Sequence, residues 1–187
     1  MPLSRLHASL RAAAVVPKGD YAYVIHPLLD GVPRCDAALL DEWAAWAALQ
    51  PVVKQANTLL APEAMGLPLV GALALKTGLP YTLARKRAYG RPGEVAVPAA
   101  TGYGASTLHL NDLGPGDRVL IVDDVLSTGG TLGALLDAIG KTGARAVGAV
   151  VVVDKGLARA KLEARHKIAV LAAATIRVTP AGVQVVA

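Results

Sequence analysis

Phenylalanine is absent from this chain, cysteine occurs once, and two tryptophans and five tyrosines supply every aromatic ring. The lone Cys35 can close neither an internal disulfide nor a multi-cysteine zinc site, and it fits a reducing compartment such as the cytoplasm. Any aromatic wall in a binding site must use those few rings, and Ala, Val and Leu supply nearly all of the burial. The longest apolar runs, such as residues 146–153, fall far short of the ~20 residues a membrane-spanning helix needs, despite a mean hydropathy of +0.45. Arg5 and His7 lie near the start without a continuous apolar stretch behind them, so no export signal is expected.

What is present is enough for a folded α/β chain. The 187 residues are 53% hydrophobic and 18% charged, a balance that requires extensive burial and excludes a disordered chain. The net charge of +5 is compatible with nucleic acid, a membrane surface or a small polyanion. Arg85, Lys86, Arg87 and Arg91 cluster beside glycines while the other basic residues are scattered, which favours a small anionic ligand in one place.

Helical spacing of apolar residues predicts helices over 4–14, 36–49, 67–76, 130–141 and 157–165. Strands are expected at 21–25, 57–61, 79–84, 106–110, 118–122, 146–153, 167–174 and 184–186. Residues 17–20 form a polar break, and residues 27–33 are read as turns in a small appendage outside the core. Residues 89–104, with four glycines and two prolines, are read as a long mobile loop. Strands alternating with helices imply a mainly parallel central sheet flanked by helices, whose ligand site lies beyond the carboxyl ends of the strands.

The chemistry concentrates in residues 119–131, read as four apolar strand residues, two acids in a loop, and a turn that opens a helix. Gly129 and Gly130 let main-chain N–H groups approach a phosphate; Ser127, Thr128 and Thr131 add hydroxyl donors, and the helix N-terminus adds positive potential. Asp123 and Asp124 would repel a phosphate in contact, so they are expected to accept from sugar hydroxyls or to face a hydrated cation. Taken alone, the acidic pair is as well explained by two solvated residues at a sheet edge. Together with the cradle, it points to a sugar phosphate.

This segment resembles the phosphoribosyl pyrophosphate loop of type I phosphoribosyltransferases. Residues 23–33, 62–68, 84–104 and 119–131 look like archaeal-type hypoxanthine/guanine phosphoribosyltransferases, which are themselves similar to adenine phosphoribosyltransferases. The resemblance implies a type I phosphoribosyltransferase fold with a small hood: residues 1–187 as one domain, with 1–35 as the hood. It implies that Asp123 and Asp124 hold the ribose hydroxyls, and that Ser127, Thr128, Gly129, Gly130 and Thr131 bind the 5′-phosphate. Glu63, Ala64, Met65 and Gly66 would grip pyrophosphate through main-chain groups, in a loop where relatives hold a non-proline cis peptide. Arg85 and Lys86 would meet pyrophosphate with Arg87 beside them, Tyr103 would belong to a closing loop, and Leu126 would pack on the purine face or simply in the core.

The implied reaction is Mg²⁺-dependent transfer of the phosphoribosyl group to a purine, hypoxanthine or guanine first, with adenine and then xanthine behind. Mg²⁺ would be held by ligand hydroxyls and pyrophosphate near Asp123 and Asp124. The resemblance also implies a homodimer and no nucleic-acid partner. Gly102 stands where adenine enzymes carry an acid, and Ser127 where many hypoxanthine/guanine enzymes outside this branch carry an aspartate, so no general base is assigned. A regulator that only senses phosphoribosyl pyrophosphate, and a transferase for a pyrimidine or an amine donor, stay open at this point.

Overall fold

The computed structural model describes residues 2–18, 21–101, 104–179 and 181–186. Helix α1 (Ser4–Arg11) leads into an antiparallel pair, β1 (Ala14–Lys18) and β2 (Tyr21–Ile25), and a short helix α2 (Pro27–Asp30). Helix α3 (Ala37–Ala48) starts where the Asp36 side chain accepts from the Ala38 N–H at 3.0 Å, and it stops just before Pro51. Strand β3 (Thr58–Pro62), helix α4 (Gly66–Thr77) and strand β4 (Tyr81–Ala84) form one βαβ unit, with α4 closed by Gly78 at φ 72°. After the antiparallel hairpin of β5 (Val95–Thr101) and β6 (Gly104–Leu110) come β7 (Arg118–Leu126), α5 (Gly130–Lys141) and β8 (Arg145–Asp154). Helix α6 (Arg159–His166), β9 (Ala169–Thr179) and β10 (Gly182–Val185) complete the described elements.

The main sheet has the order β10-β9-β8-β7-β3-β4, parallel except for β10, which runs antiparallel on the edge. Alternation along β7 divides the interior: Leu120 and Val122 join one apolar cluster with Trp43 and Leu69, while Val119 and Ile121 join the other with Leu135 and Ile139. A sheet covered on both faces needs strands that are apolar throughout, which is why residues 147–153 of β8 are apolar and all buried.

Several sequence expectations need correction. Residues 89–104 are not simply a loop: residues 95–101 are β5, and Val97 and Ala99 pack into the second cluster. Pro98 and the flanking glycines mask the period-two pattern there. Residues 27–30 form a helical turn instead of an irregular segment, and residues 14–18 form a strand where only a break was expected at 17–20; residues 19 and 20 lie outside the described residues. Nor does the N-terminal segment stand outside the core, since Leu6, Leu10 and Leu28 are buried in the first cluster. Strand β7 runs on to Leu126, so Asp123 and Asp124 belong to the end of a strand and not to a loop.

Two buried polar side chains attach the N-terminal segment. Glu42 of α3 accepts from the N–H groups of Arg5 and Leu6 at 3.2 and 2.8 Å, satisfying first-turn donors of α1 that α1 itself cannot. His26 precedes α2 and its Nδ1 accepts from the Leu28 N–H at 3.2 Å, so its Nε2 carries the proton and donates to Ser9 Oγ at 2.8 Å. The Ser9 hydroxyl in turn donates to the Leu6 carbonyl at 3.0 Å.

Burial lowers the His26 pKa from 6.5 to about 4, only partly opposed by the charge of Asp30. As pH falls from about 6.5 towards 4, the unfolded chain takes up a proton that the folded chain does not. The stabilisation from neutral His26 is therefore complete above the unfolded value and is lost as pH falls through that window. We expect chemical denaturation of the wild type to lose midpoint more steeply between pH 7 and 4 than that of His26→Gln, which has no such titration; parallel curves would contradict this assignment.

Candidate active site

A cavity of about 560 Å³ opens at the carboxyl ends of β3 and β7 and beside the segments that follow β4 and β8. Asp123 and Asp124 lie on its wall. The Asp124 N–H donates to Asp123 Oδ1 at 2.9 Å, and Asp123 is paired in register with Val151 of β8. Burial raises the Asp123 carboxyl well above the ordinary carboxylate range, and the Asp124 charge pushes the same way. Burial also raises Asp124, with the charge of Asp30 adding to it. Two desolvated carboxylates at a strand end need hydroxyl or cationic partners to stay ionised.

Next along the wall come Leu126, Ser127, Thr128, Gly129, Gly130 and Thr131. Helix α5 begins at Gly129 without a side-chain cap among the described residues, so its first-turn N–H groups remain available at the cavity. Gly129 sits at φ 78°, and a Cβ there would lie 2.8 Å from Ala158 Cβ; both conformation and packing demand glycine. Leu126 is 2% exposed and contributes at once to the second apolar cluster and to the cavity wall.

Glu63, Ala64 and Met65 form the facing wall, and the Glu63–Ala64 peptide is cis. Gly66 lies beneath that wall: a Cβ on it would meet Ala61 Cβ at 3.0 Å and the Val122 carbonyl at 3.1 Å, so its role in packing is to let α4 start directly against β3 and β7. The three basic residues after β4 diverge. Lys86 lines the cavity, whereas Arg85 Nε is bound to Glu63 Oε2 at 2.8 Å and Arg87 sits 5.7 Å from the centre of the Tyr89 ring. The Lys86 N–H, followed by the Arg85 side chain, holds the Glu63 carboxyl below its ordinary range. Tyr103 lies outside the described residues.

The N-terminal segment supplies Tyr23, Val24, Leu29 and Asp30 to the cavity, and Lys155 enters it from beyond β8. Lys155 is legible in hindsight, as a cation directly following an apolar strand at the ligand edge of the sheet. The side chains of Tyr23 and Asp30 left no such signal, because only tertiary packing brings α2 over the end of β7. A larger hollow of about 640 Å³, at the amino ends of β8 and β9, includes none of the predicted site residues.

Among the described residues no group of three or more His, Cys, Asp or Glu side chains forms a metal cage. The Asp123–Asp124 pair nevertheless fits Mg²⁺, which is commonly bound through one or two carboxylates together with ligand oxygens. Because burial makes the charged form of Asp123 costly, its raised pKa means that stability falls as pH rises through that value. Asp123→Asn keeps an acceptor for the Asp124 N–H and removes the charge. We expect the unliganded variant to unfold at a higher temperature than wild type at pH 8, with the gap closing as pH falls; a variant that is less stable at every pH would overturn this account.

A phosphoribosyl transferase domain model matches residues 36–180. The chain is 42% identical over 186 residues to a hypoxanthine/guanine phosphoribosyltransferase of Methanosarcina barkeri, covering 98% of this chain and 96% of that one. It is 41% identical over 174 residues to an HGPRTase-like protein 2 of Haloquadratum walsbyi, covering 93% and 96%. In fold it is similar to the crystal structure of an adenine phosphoribosyltransferase from Giardia lamblia complexed with 9-deazaadenine, with a TM-score of 0.75 at 22% identity over 94% of this chain and 98% of that one. With the cradle, the acidic pair and the domain match in agreement, the chain belongs to the phosphoribosyltransferase family.

Proposed function

We propose that this protein transfers the phosphoribosyl group of phosphoribosyl pyrophosphate to a ring nitrogen of hypoxanthine or guanine, releasing pyrophosphate. The observation that carries this reading is the meeting of two anion-binding walls, residues 127–131 and residues 63–65 with Lys86, on either side of the buried Asp123–Asp124 pair. The 5′-phosphate suits the uncapped start of α5, pyrophosphate suits the wall of Lys86 and main-chain groups, and the ribose hydroxyls suit the two carboxylates.

In the reaction the bond from C1′ to the pyrophosphate oxygen breaks, the bond from C1′ to the purine nitrogen forms, and the purine gives up its ring proton. Positive charge develops at C1′ while negative charge grows on the leaving group. The carboxylates favour the first through the sugar and Lys86 the second, in a cavity where desolvation strengthens both effects. Mg²⁺, when bound through ligand oxygens near Asp123 and Asp124, supplies further charge compensation for pyrophosphate. Arg85 acts as a positioning residue: its ion pair with Glu63 ties the wall of residues 63–65 to the end of β4.

Lys155 favours a 6-oxo purine. An ammonium offers donors only, which match the carbonyl oxygen of hypoxanthine or guanine and mismatch the amino group of adenine. The same reading extends to a cytoplasmic homodimer, on the strength of the single Cys35 and the family resemblance.

The test is an initial-rate assay with Mg²⁺, phosphoribosyl pyrophosphate and each of hypoxanthine, guanine, xanthine and adenine. We expect turnover of hypoxanthine or guanine, with kcat/KM lowered roughly 100- to 1000-fold or more in the Asp123→Asn/Asp124→Asn variant. Binding of phosphoribosyl pyrophosphate without turnover of any base would replace the transferase with a ligand sensor.

A further inference from the structure

Once the phosphate, pyrophosphate and ribose regions of the cavity are assigned, the remaining wall is apolar apart from a few side chains. Val24, Leu29, Leu108 and Leu126 suit the faces of a flat heterocycle. Tyr23 and Asp30 stand on the same wall, contributed by the N-terminal segment. Of these polar groups, only Asp30 is an acceptor without a donor of its own.

Asp30 is also held in place. Its Oδ1 accepts from the Tyr23 hydroxyl, and its Oδ2 accepts from the His26 N–H at 3.0 Å. His26 is in turn fixed by Ser9 and by the Leu28 N–H, so the carboxylate is anchored through β2, α2 and α1. Each carboxylate oxygen keeps acceptor capacity beyond these bonds. Asp30 lines the same cavity as Asp123 and Asp124, the pair assigned to the ribose, which puts it on the wall that a base joined to that ribose would face.

We infer that the Asp30 carboxylate reads the N1–H and 2-amino donors of guanine, and that it sets the preference of the site among 6-oxo purines. This rests on the purine transferase reading above. The chemistry follows from the edges of the bases. Guanine offers two adjacent donors to a carboxylate, and hypoxanthine offers one. Xanthine offers one donor but sets a repelled 2-oxo group beside it, while adenine has an acceptor at N1. With Lys155 matched to the 6-oxo group, the complete pattern is that of guanine. Tyr23 is then a positioning residue, since its hydroxyl orients Asp30.

The experiment compares kcat/KM for guanine, hypoxanthine and xanthine in wild type and Asp30→Asn. The amide replaces one acceptor by a donor, so the guanine value is expected to fall about 10- to 100-fold, the hypoxanthine value to fall less, and the xanthine value to rise. An equal loss for all three bases would mean that Asp30 only supports the fold of α2, and would overturn the inference. A measurement on unaltered protein covers the case in which the variant does not fold: 1-methylguanine, which lacks the N1–H, is expected to inhibit with a Ki at least about 10-fold above the Kd for guanine. Equal binding of the two would overturn the inference as well. Wild-type turnover with unchanged base ratios in Asp30→Asn sinks this inference alone, whereas a wild type that turns over no purine sinks the transferase reading beneath it.

Discussion

Two adjacent carboxylates at the end of the central strand create the main electrostatic cost in this structure. Asp123 is 7% exposed, and burial raises its pKa together with that of Asp124, so ionising the pair is costly while the site is unliganded. The surrounding architecture makes this tolerable. Strand β7 has a parallel neighbour on each side, and its residues Val119 to Val122 are fully buried, so the backbone beneath the acids has little freedom to relax. A ligand that brings hydroxyl donors and a cation would relieve the desolvation of these carboxylates and favour their charged form.

The same strand-end arrangement explains why opposite charge preferences coexist in a cavity of about 560 Å³. Leaving β7 after Leu126, the chain turns through Gly129 in a left-handed conformation and starts α5 at once, so main-chain donors follow the acids within a few residues. Across the cavity, the close approach of Gly66 to Ala61 and the Val122 carbonyl lets α4 begin immediately behind residues 63–65. Both helices thus start at the ligand edge of the sheet, as a parallel βαβ topology requires. The part of the wall proposed to select the base comes from a separate part of the chain, the N-terminal segment held by Glu42 and by the relay from His26 to Ser9.

Much of the site was legible because it is local. The acids, hydroxyls and glycines of residues 123–131 lie within nine residues directly after the apolar run 119–122, so their association needs no tertiary information. The βαβ units were legible for the same reason: helical and extended periodicities alternate over residues 67–84 and 118–153. Strand β6 was expected at 106–110, but its partner β5 was not, since Pro98 interrupts the pattern of a strand whose Val97 and Ala99 pack into the cluster that includes α5. Equally hidden was the divergence of Arg85, Lys86 and Arg87. Three consecutive cations look alike in sequence, but the position of Glu63 draws Arg85 aside and leaves Lys86 on the cavity.

The sequence by itself determined the class of fold, the ligand edge of the sheet and the chemistry of the cradle, because short-range periodicity and glycine placement act within a few residues of chain. The tertiary structure alone decided which side chains close the site from outside that segment. Tyr23 and Asp30 reach the cavity from the N-terminal segment and Lys155 from beyond β8, far away in the chain, and neither charge nor spacing encodes a distance between the two. Burial, the quantity that shifts the pKa values of Asp123 and His26, is likewise a property of packed layers, and it exists only once the sheet and its two apolar faces have formed.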